Sequence, residues 1–392
     1  MDVDKRLARI DTFFQWVLVA LFVIATTLPM LGILTGWGRN DTGWIENRRL
    51  KAFPRLALAR REIKNFRKDF ESWFNDNFGW RTSLVRSHIR LAIWLGVSPT
   101  PKVVLGKQGW LYYDGEPNET FIDICYRSVK PFTVSELETW QTALEERRRW
   151  LAKHGIPYLV VFVPNKETIY PEFLPDAVKK LRETTRLDQL IDYLRCNSDL
   201  EVLDLREALL VGKKRAQIYF RTDTHWNNLG AYIAYEQIIN SLARRFPSLR
   251  VMPLDLLHPS ASFQKMGGDL ANMLGLVEEF PEGMTIKFDL SGMSRKVNLP
   301  PDDPEAPPER QPFAMENQDP SLPRAVMFRD SFATLLVPLL SEHFARIAYV
   351  WSREMKTDMI LKEKPNVVIE EITERLISKP SRNEEALRQS DS

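Results

Sequence analysis

The chain has 392 residues, 44% apolar and 27% charged, the mix of a protein that packs a core rather than staying disordered. Its 54 Lys and Arg nearly cancel 52 Asp and Glu, leaving +2, which excludes the global basic bias of a nucleic-acid binder. Two cysteines cannot build a zinc module or a disulfide scaffold, and with five histidines any imidazole in a motif has little competition.

Residues 13–34 carry no charge. At roughly 20 residues per bilayer core, this run is long enough to cross a membrane. Its exit, Leu34-Thr35-Gly36-Trp37-Gly38, matches a small-x-small cleavage site poorly, so an uncleaved anchor is expected over a signal peptide. Trp16 and Trp37 near its ends suit membrane interfaces. Lys5, Arg6 and Arg9 precede it and Arg39, Arg48, Arg49, Lys51 and Arg55 follow it, so the positive-inside count leaves orientation open. Within residues 46–84, Phe66, Phe70, Trp73 and Phe74 recur at helical spacing and predict an amphipathic helix packed through an aromatic stripe. Residues 103–115 read as two short strands about a Gly-containing turn.

From residue 133 helix and strand alternate. Thr133-Val134-Ser135-Glu136 is a capping box opening a helix with Leu137, Trp140, Leu144 and Leu151 on one face, closed by Gly155. The apolar run 158–163 predicts a strand buried on both faces. A helix at 187–194 and strands at 201–205 and 217–220 follow, then a helix at 229–244. Next come a strand at 325–328, a helix at 333–344, and strands at 347–351 and 366–371. This order predicts an α/β fold, a mainly parallel sheet with helices on both faces. Residues 298–324, with eight prolines and many acids, read as a long surface loop or lid. The polar tail after Lys379 reads as disordered. Cys125 and Cys196 leave a bridge and two free thiols equally open.

Open parallel sheets place their sites at the carboxyl ends of strands. Two predicted strand exits here look alike, Phe220-Arg221-Thr222-Asp223-Thr224-His225-Trp226 and Phe328-Arg329-Asp330-Ser331-Phe332. A serine is a poor nucleophile until a base takes its proton, and that imidazole needs an acid to fix its tautomer. Asp223, His225 and Ser331 supply those three groups. The plainer alternative is that the first motif bonds a turn and Ser331 caps a helix. His88, His154, His258 and His343 lie outside any motif and read as structural or exposed.

These residues carry a family resemblance. DTHWNNLGAY at 223–232, RDSF at 329–332 and VPNKETIYPEFLP at 163–175 resemble the SGNH-hydrolase-like proteins of alginate O-acetylation. So do GGDLANMLGL at 267–276 and KPNVVIEEITERL at 364–376, which extends the resemblance over about residues 46–376. The resemblance implies a three-layer α/β/α SGNH-like domain at 101–379 with its acid–base motif before its serine, a permuted order. A membrane anchor (or signal peptide) at 1–36, a helical neck at 37–100 and a tail at 380–392 complete the expected layout. It further implies Ser331 as nucleophile, His225 as general base and Asp223 as its orienting acid, passing acetyl from an acetyl-serine to sugar hydroxyls of an exopolysaccharide.

Arg221, Arg329, Tyr170, Lys166, Asn272 and Trp226 are the expected substrate-binding residues, Asn272 as a candidate oxyanion donor. No cofactor and no metal is expected. The implied partners are the polysaccharide, the membrane and a membrane-bound O-acyltransferase as acetyl donor, with no nucleic acid. The implied location is a bacterial inner membrane, crossed once, with the catalytic domain in the periplasm. Ordinary SGNH enzymes have Gly before Asp-Ser where this chain has Arg329, so their oxyanion geometry does not transfer.

Three other readings compete. A metallophosphoesterase also uses Asp-x-His, but this chain lacks a second His-rich cluster. A polysaccharide acetyl esterase shares every catalytic residue with the transferase and differs only in whether water or a sugar reaches the acyl-enzyme. A noncatalytic polysaccharide-binding scaffold would use the same cleft without the serine.

Overall fold

The computed structural model describes residues 2–35, 51–54, 60–116, 119–289, 292, 294–301 and 303–381. The chain forms two compact units, Met1–Pro99 with Leu274–Leu276, and Thr100–Met273 with Val277–Ser392.

In the first unit, helix α1 (Asp2–Thr35) contains Thr12–Ile33, 22 residues with mean hydropathy 2.3, long and apolar enough to cross a bilayer. Phe13, Trp16, Leu18 and Phe22 are exposed along it. Helix α2 (Arg60–Asn77) carries the expected aromatic stripe, with Phe66 stacked on Phe70 and Phe70 on Phe74. The sequence predicts one helix through Leu84, but the chain breaks at Phe78-Gly79-Trp80 and restarts as α3 (Arg81–Trp94). A Cβ on Gly79 would lie 2.6 Å from the Pro29 carbonyl oxygen and 3.0 Å from the Gly32 Cα. The backbone therefore passes α1 too closely for any side chain, and Trp80 turns through a left-handed conformation at φ 60°. Trp37, Arg39, Arg48, Arg49, Arg55, residues 46–50 of the predicted amphipathic stretch and the tail from 382 lie outside the described residues.

The second unit opens with the predicted hairpin, β1 (Val103–Leu105) antiparallel to β2 (Leu111–Tyr113), then a short pair, β3 (Gly115–Glu116) and β4 (Glu119–Thr120). Helix α4 (Val134–Lys153) starts on its capping box. The Thr133 hydroxyl accepts the Glu136 N–H at 3.3 Å, and the Glu136 carboxylate accepts the Thr133 N–H at 2.8 Å. There follow β5 (Tyr158–Val163), α5 (Lys166–Ile169), α6 (Arg186–Asn197), β6 (Glu201–Asp204), α7 (Arg206–Gly212) and α8 (Asn228–Ala243). A peripheral pair, β7 (Ser260–Gln264) with β8 (Gly283–Lys287), brackets α9 (Asp269–Met273). The chain ends with β9 (Arg295–Asn298), β10 (Phe313–Glu316), β11 (Arg324–Arg329), α10 (Val337–Leu340), β12 (Arg346–Trp351), α11 (Thr357–Glu363) and β13 (Val367–Thr373).

Seven strands form the main sheet in the order β6-β5-β13-β11-β12-β10-β9. The first five run parallel, and β10 and β9 join antiparallel at one edge. The sheet is mainly parallel, as predicted. Period-two alternation sends Leu159, Val161, Met327, Tyr349 and Ile369 to one face, where α8 packs Ala234, Tyr235 and Ile238. Val160, Phe162, Val326, Val350 and Val368 point to the other face, covered by Trp140, Leu144 and Leu151 of α4 and Leu190 and Leu194 of α6. Both faces are dry, which is why these strands read as unbroken apolar runs.

Three expectations need correction. Residues 217–220 are not a sheet strand: Ile218 N–H donates to the Tyr170 hydroxyl, Ile218 C=O accepts from Asn227 N–H, and Phe220 N–H donates to His225 C=O. Their backbone is satisfied within a loop, so no ladder forms. The helix expected over 333–344 is a series of short helical turns around α10, because Pro338 lacks the N–H that continuity requires. The proline-rich stretch 298–324 is not all loop, since β10 lies inside it and pairs with both β9 and β12. Cys125 is a buried free thiol and Cys196 an exposed one, so the two are not bridged.

Beneath the sheet, Arg147 of α4 is buried against Glu370 of β13, and Glu370 also accepts from the Tyr158 hydroxyl. Removing one member of such a pair leaves an uncompensated buried charge. Arg147→Met should therefore lower unfolding free energy by about 3–5 kcal/mol, read from the urea midpoint of the purified chain.

Candidate active site

The carboxyl ends of β5, β13 and β11 lie side by side in the sheet and deliver three segments to one place. Strand β11 ends in Arg329, then Asp330 and Ser331 turn outward ahead of the short helical turn Phe332–Leu335. Asp330 makes that turn rigid. Its carboxylate accepts the Phe332 N–H at 2.8 Å and the Thr373 hydroxyl of β13, while its own N–H donates to Glu371 at 3.0 Å. Ser331 is thus presented from the carboxyl end of a central strand on a backbone fixed by its neighbouring strand.

The acid and imidazole arrive from the loop before α8. His225 Nε2 lies 2.7 Å from Ser331 Oγ, and His225 Nδ1 lies 2.7 Å from Asp223 Oδ1. Asp223 also accepts the backbone N–H of His225 at 3.0 Å and that of Asp269 at 3.0 Å. Burial by itself would push the Asp223 carboxyl up, but the His225 ring and these two N–H groups outweigh it and hold it down at about 2. An ionised Asp223 can only accept, so Nδ1 carries the ring proton and Nε2 is left to accept from the Ser331 hydroxyl. The expected trio of Asp223, His225 and Ser331 is therefore brought together in the order that activates a serine.

The loop is tied down from several directions. Lys166, at the end of β5, buries its ammonium and donates to the carbonyls of Phe220, Arg221 and Asp223 at 3.2, 3.0 and 2.7 Å. Glu282 accepts the N–H groups of Arg221 and Thr222 and the Thr222 hydroxyl. The Trp226 indole N–H donates to the Phe332 carbonyl at 3.0 Å, joining the histidine loop to the serine turn. Gly268 is forced by packing: a Cβ there would meet the Asp223 Cβ at 2.3 Å.

Four of the six expected substrate-binding residues turn out to be internal. Lys166 and Trp226 are buried in the contacts just described. Tyr170 is buried against Trp110, with its hydroxyl on Ile218 N–H. Arg329 is buried beside the rings of Phe313 and Trp351 and donates to the carbonyls of Asp330 and Glu309. It ties the proline-rich segment to the strand end. Arg221 is half-buried and donates to the carbonyls of Pro281 and Glu282. Asn272 is exposed on α9.

Two residues escaped the sequence reading although their motifs were in view. Asp269 places a second carboxylate oxygen 3.8 Å from His225 Nδ1, while its other oxygen accepts the Thr224 N–H at 2.7 Å. Burial and the charge of Asp223 push its carboxyl up. Arg375, just past β13, reaches to 3.5 Å from Ser331 Oγ. The local clue to Asp269 is its place after the Gly267-Gly268 turn, whereas Arg375 carries none. Asp223, His225 and Asp269 offer atoms close enough to surround a cation. However, both Asp223 oxygens already accept N–H donors and both ring nitrogens already face protein partners, the donor pattern of an oriented acid–base pair rather than a ligand shell.

A mainly parallel sheet between helical layers, with a serine turn at a strand end facing an Asp-x-His loop, is the architecture of SGNH-hydrolase-like proteins. Residues 103–286 match the family described as the ALGX SGNH hydrolase-like domain of the acetyltransferase AlgX. The matched span includes Asp223 and His225 and stops before Ser331. The chain is 29% identical over 259 residues to a protein of Pseudomonas syringae pathovar tomato described as a probable alginate O-acetylase, AlgJ. That match covers 65% of this chain and 60% of that one. It is 25% identical over 258 residues to the AlgJ of Pseudomonas putida, covering 64% of this chain and 61% of the relative. The chain thus spans about three fifths of the length of the curated relatives it matches. Among solved structures, Bacillus cereus PatB1 aligns with TM-score 0.54 and 16% identity over 70% of this chain and 97% of its own, a likeness of fold.

Asp223 carries a pH signature. Its folded pKa of about 2 lies below the ordinary 3.8, so its ionisation stabilises the fold above pH 4, and that stabilisation is lost as pH falls towards 2. Asp223→Asn should be less stable than wild type by about 2 kcal/mol at neutral pH, with the gap closing in melts taken between pH 4 and pH 2. The same variant loses the acid that fixes the ring tautomer, so labelling of Ser331 by a fluorophosphonate should slow by about 10³–10⁴-fold.

Proposed function

We propose that the chain is an O-acetyltransferase that moves acetyl groups onto sugar hydroxyls of an alginate-like exopolysaccharide through an acetyl-Ser331 intermediate. The carrying observation is the continuous hydrogen-bonded line from Asp223 through His225 to Ser331, at 2.7 Å on each side of the ring. The substrate class is supported by likeness to proteins described as probable alginate O-acetylases and by the AlgX acetyltransferase domain.

In the first half-reaction Ser331 Oγ bonds to the acetyl carbonyl carbon while its proton passes to His225 Nε2. The carbonyl π electrons move onto oxygen, and their return breaks the bond to the donor's leaving group, which takes the proton from Nε2. In the second half a sugar hydroxyl attacks the acetyl-serine, its proton goes to Nε2, and the collapsing intermediate expels Ser331 Oγ, which recovers that proton. Asp223 stays ionised throughout and stabilises the imidazolium each time it forms.

The proposed setting is a bacterial inner membrane, with Thr12–Ile33 as a single span and the catalytic unit in the periplasm. A membrane-bound O-acyltransferase would deliver the acetyl groups. A deacetylating esterase would share the first half-reaction and use water in the second.

Exposure of the purified chain to an activated acetyl ester should add one acetyl mass to the Ser331 peptide in wild type and none in Ser331→Ala. Cells carrying only Ser331→Ala should make polymer without the acetyl groups this chain adds. Normal polymer acetylation in that strain would falsify the proposal.

A further inference from the structure

Acyl transfer needs more than a nucleophile and a base, because the carbonyl oxygen carries a full negative charge in the tetrahedral intermediate and something must hold it. Neither Asn272, the expected oxyanion donor, nor Arg329 or Lys166, expected to bind substrate, is placed for the task. Arg329 and Lys166 are buried with their hydrogen bonds directed to protein carbonyls, and no described contact brings the exposed Asn272 side chain to Ser331.

Arg375 is different in each respect. It follows β13 directly, the strand beside the one that delivers Ser331. Its guanidinium lies over the Phe332 ring, 5.1 Å from the centroid, and its Nη2 stands 3.5 Å from Ser331 Oγ. Among the described residues the guanidinium has no other hydrogen-bond partner and no ion pair, and it is half-buried rather than enclosed. The backbone N–H of Ser331 is also unpartnered among the described residues, while those of Asp330 and Phe332 on either side are used. A cation with spare donors and one spare N–H therefore meet at the nucleophile.

We infer that Arg375 and the Ser331 N–H together bind the acetyl carbonyl oxygen as it becomes an oxyanion, making Arg375 a catalytic residue. This rests on the acetyl-serine reading above. A hydrogen bond to Oγ near 3.5 Å is long in the resting site and is expected to shift to the developing oxyanion, where charge-assisted bonds are shorter and stronger. The ring of Phe332 keeps the guanidinium from swinging away, so little reorganisation accompanies the chemical step.

The test uses the full chain, p-nitrophenyl acetate as acyl donor and methylboronic acid as a mimic of the tetrahedral anion on Ser331. Arg375→Ala and Arg375→Gln should acylate about 10²–10³-fold more slowly at little change in KM. They should bind methylboronic acid more weakly by a similar factor, and Arg375→Lys should recover part of both. Variants that melt at the wild-type temperature yet acylate at the wild-type rate overturn the inference. So does a change confined to KM for an acidic polymer, which would make Arg375 a carboxylate binder. Should the alanine variant not fold, the lysine and glutamine variants carry the comparison. Wild-type chain that gains no acetyl at Ser331 instead overturns the acetyl-serine mechanism itself.

Discussion

Lys166 leaves the end of β5 and directs a buried ammonium at the carbonyls of Phe220, Arg221 and Asp223, a stretch with no place in any sheet. The Arg221 carbonyl also accepts the Leu111 N–H at 2.9 Å, but the carbonyls of Phe220 and Asp223 have no ladder to satisfy them, and unpaired buried carbonyls are costly. The loop that carries Asp223 and His225 is therefore anchored from beneath by this cation, together with Glu282 and the Trp226 indole. Burial pushes the Lys166 amine down to about 8, with Asp223, Asp269, Glu282 and Glu167 working in the opposite direction. It thus remains charged at neutral pH and keeps all three donors. Everything downstream inherits that position: the imidazole, its distance to Ser331, and the Trp226 contact that locks the two turns together.

The acids around the site divide into two groups by environment. Asp223 is held low by donors that favour its charge, whereas burial raises Glu167 to about 8 and lifts Glu371 and Glu374 as well. A carboxyl whose pKa is raised in this way favours its neutral form, which can serve as a structural hydrogen-bonding group beside the strand ends. Beside His225 the two carboxyls are pushed in opposite directions, Asp223 down by its donors and Asp269 up by burial and the charge of Asp223. Environments that push neighbouring carboxyls apart are the usual way a protein gives chemically identical groups different tasks.

Much of the scaffold was legible in the sequence because periodicity reports burial directly. The capping box at Thr133 and the apolar runs of β5, β11, β12 and β13 all landed within a residue or two. The trio at the site was legible because serine activation dictates which residue types must meet. Less legible was anything decided by distant partners. Gln217–Phe220 has strand-like composition, yet its backbone is claimed by Tyr170, Asn227 and His225. Lys166, Tyr170, Trp226 and Arg329 have polar groups that suggest a cleft, and only the fold reveals that their partners are carbonyls and rings of the same chain. Arg375 was hidden for the converse reason, since nothing local distinguishes an arginine after a strand from a surface charge.

The acid–base loop and the serine are 106 residues apart, with the loop first. A site assembled from adjacent parallel strands would tie chain order to strand order, because each side chain would need its own strand end. Here only Ser331 and its supporting residues from β13 and β5 are delivered that way. His225 enters on a loop held by a lysine, a glutamate and an indole, and Asn227 caps α8 immediately after it by accepting the Leu229 and Gly230 N–H groups. Side-chain clamps of this kind constrain position but not the direction from which the chain arrives. The acid–base motif can consequently precede the serine in the chain while Asp223, His225 and Ser331 still meet at hydrogen-bonding distance, since topology only has to reach the site.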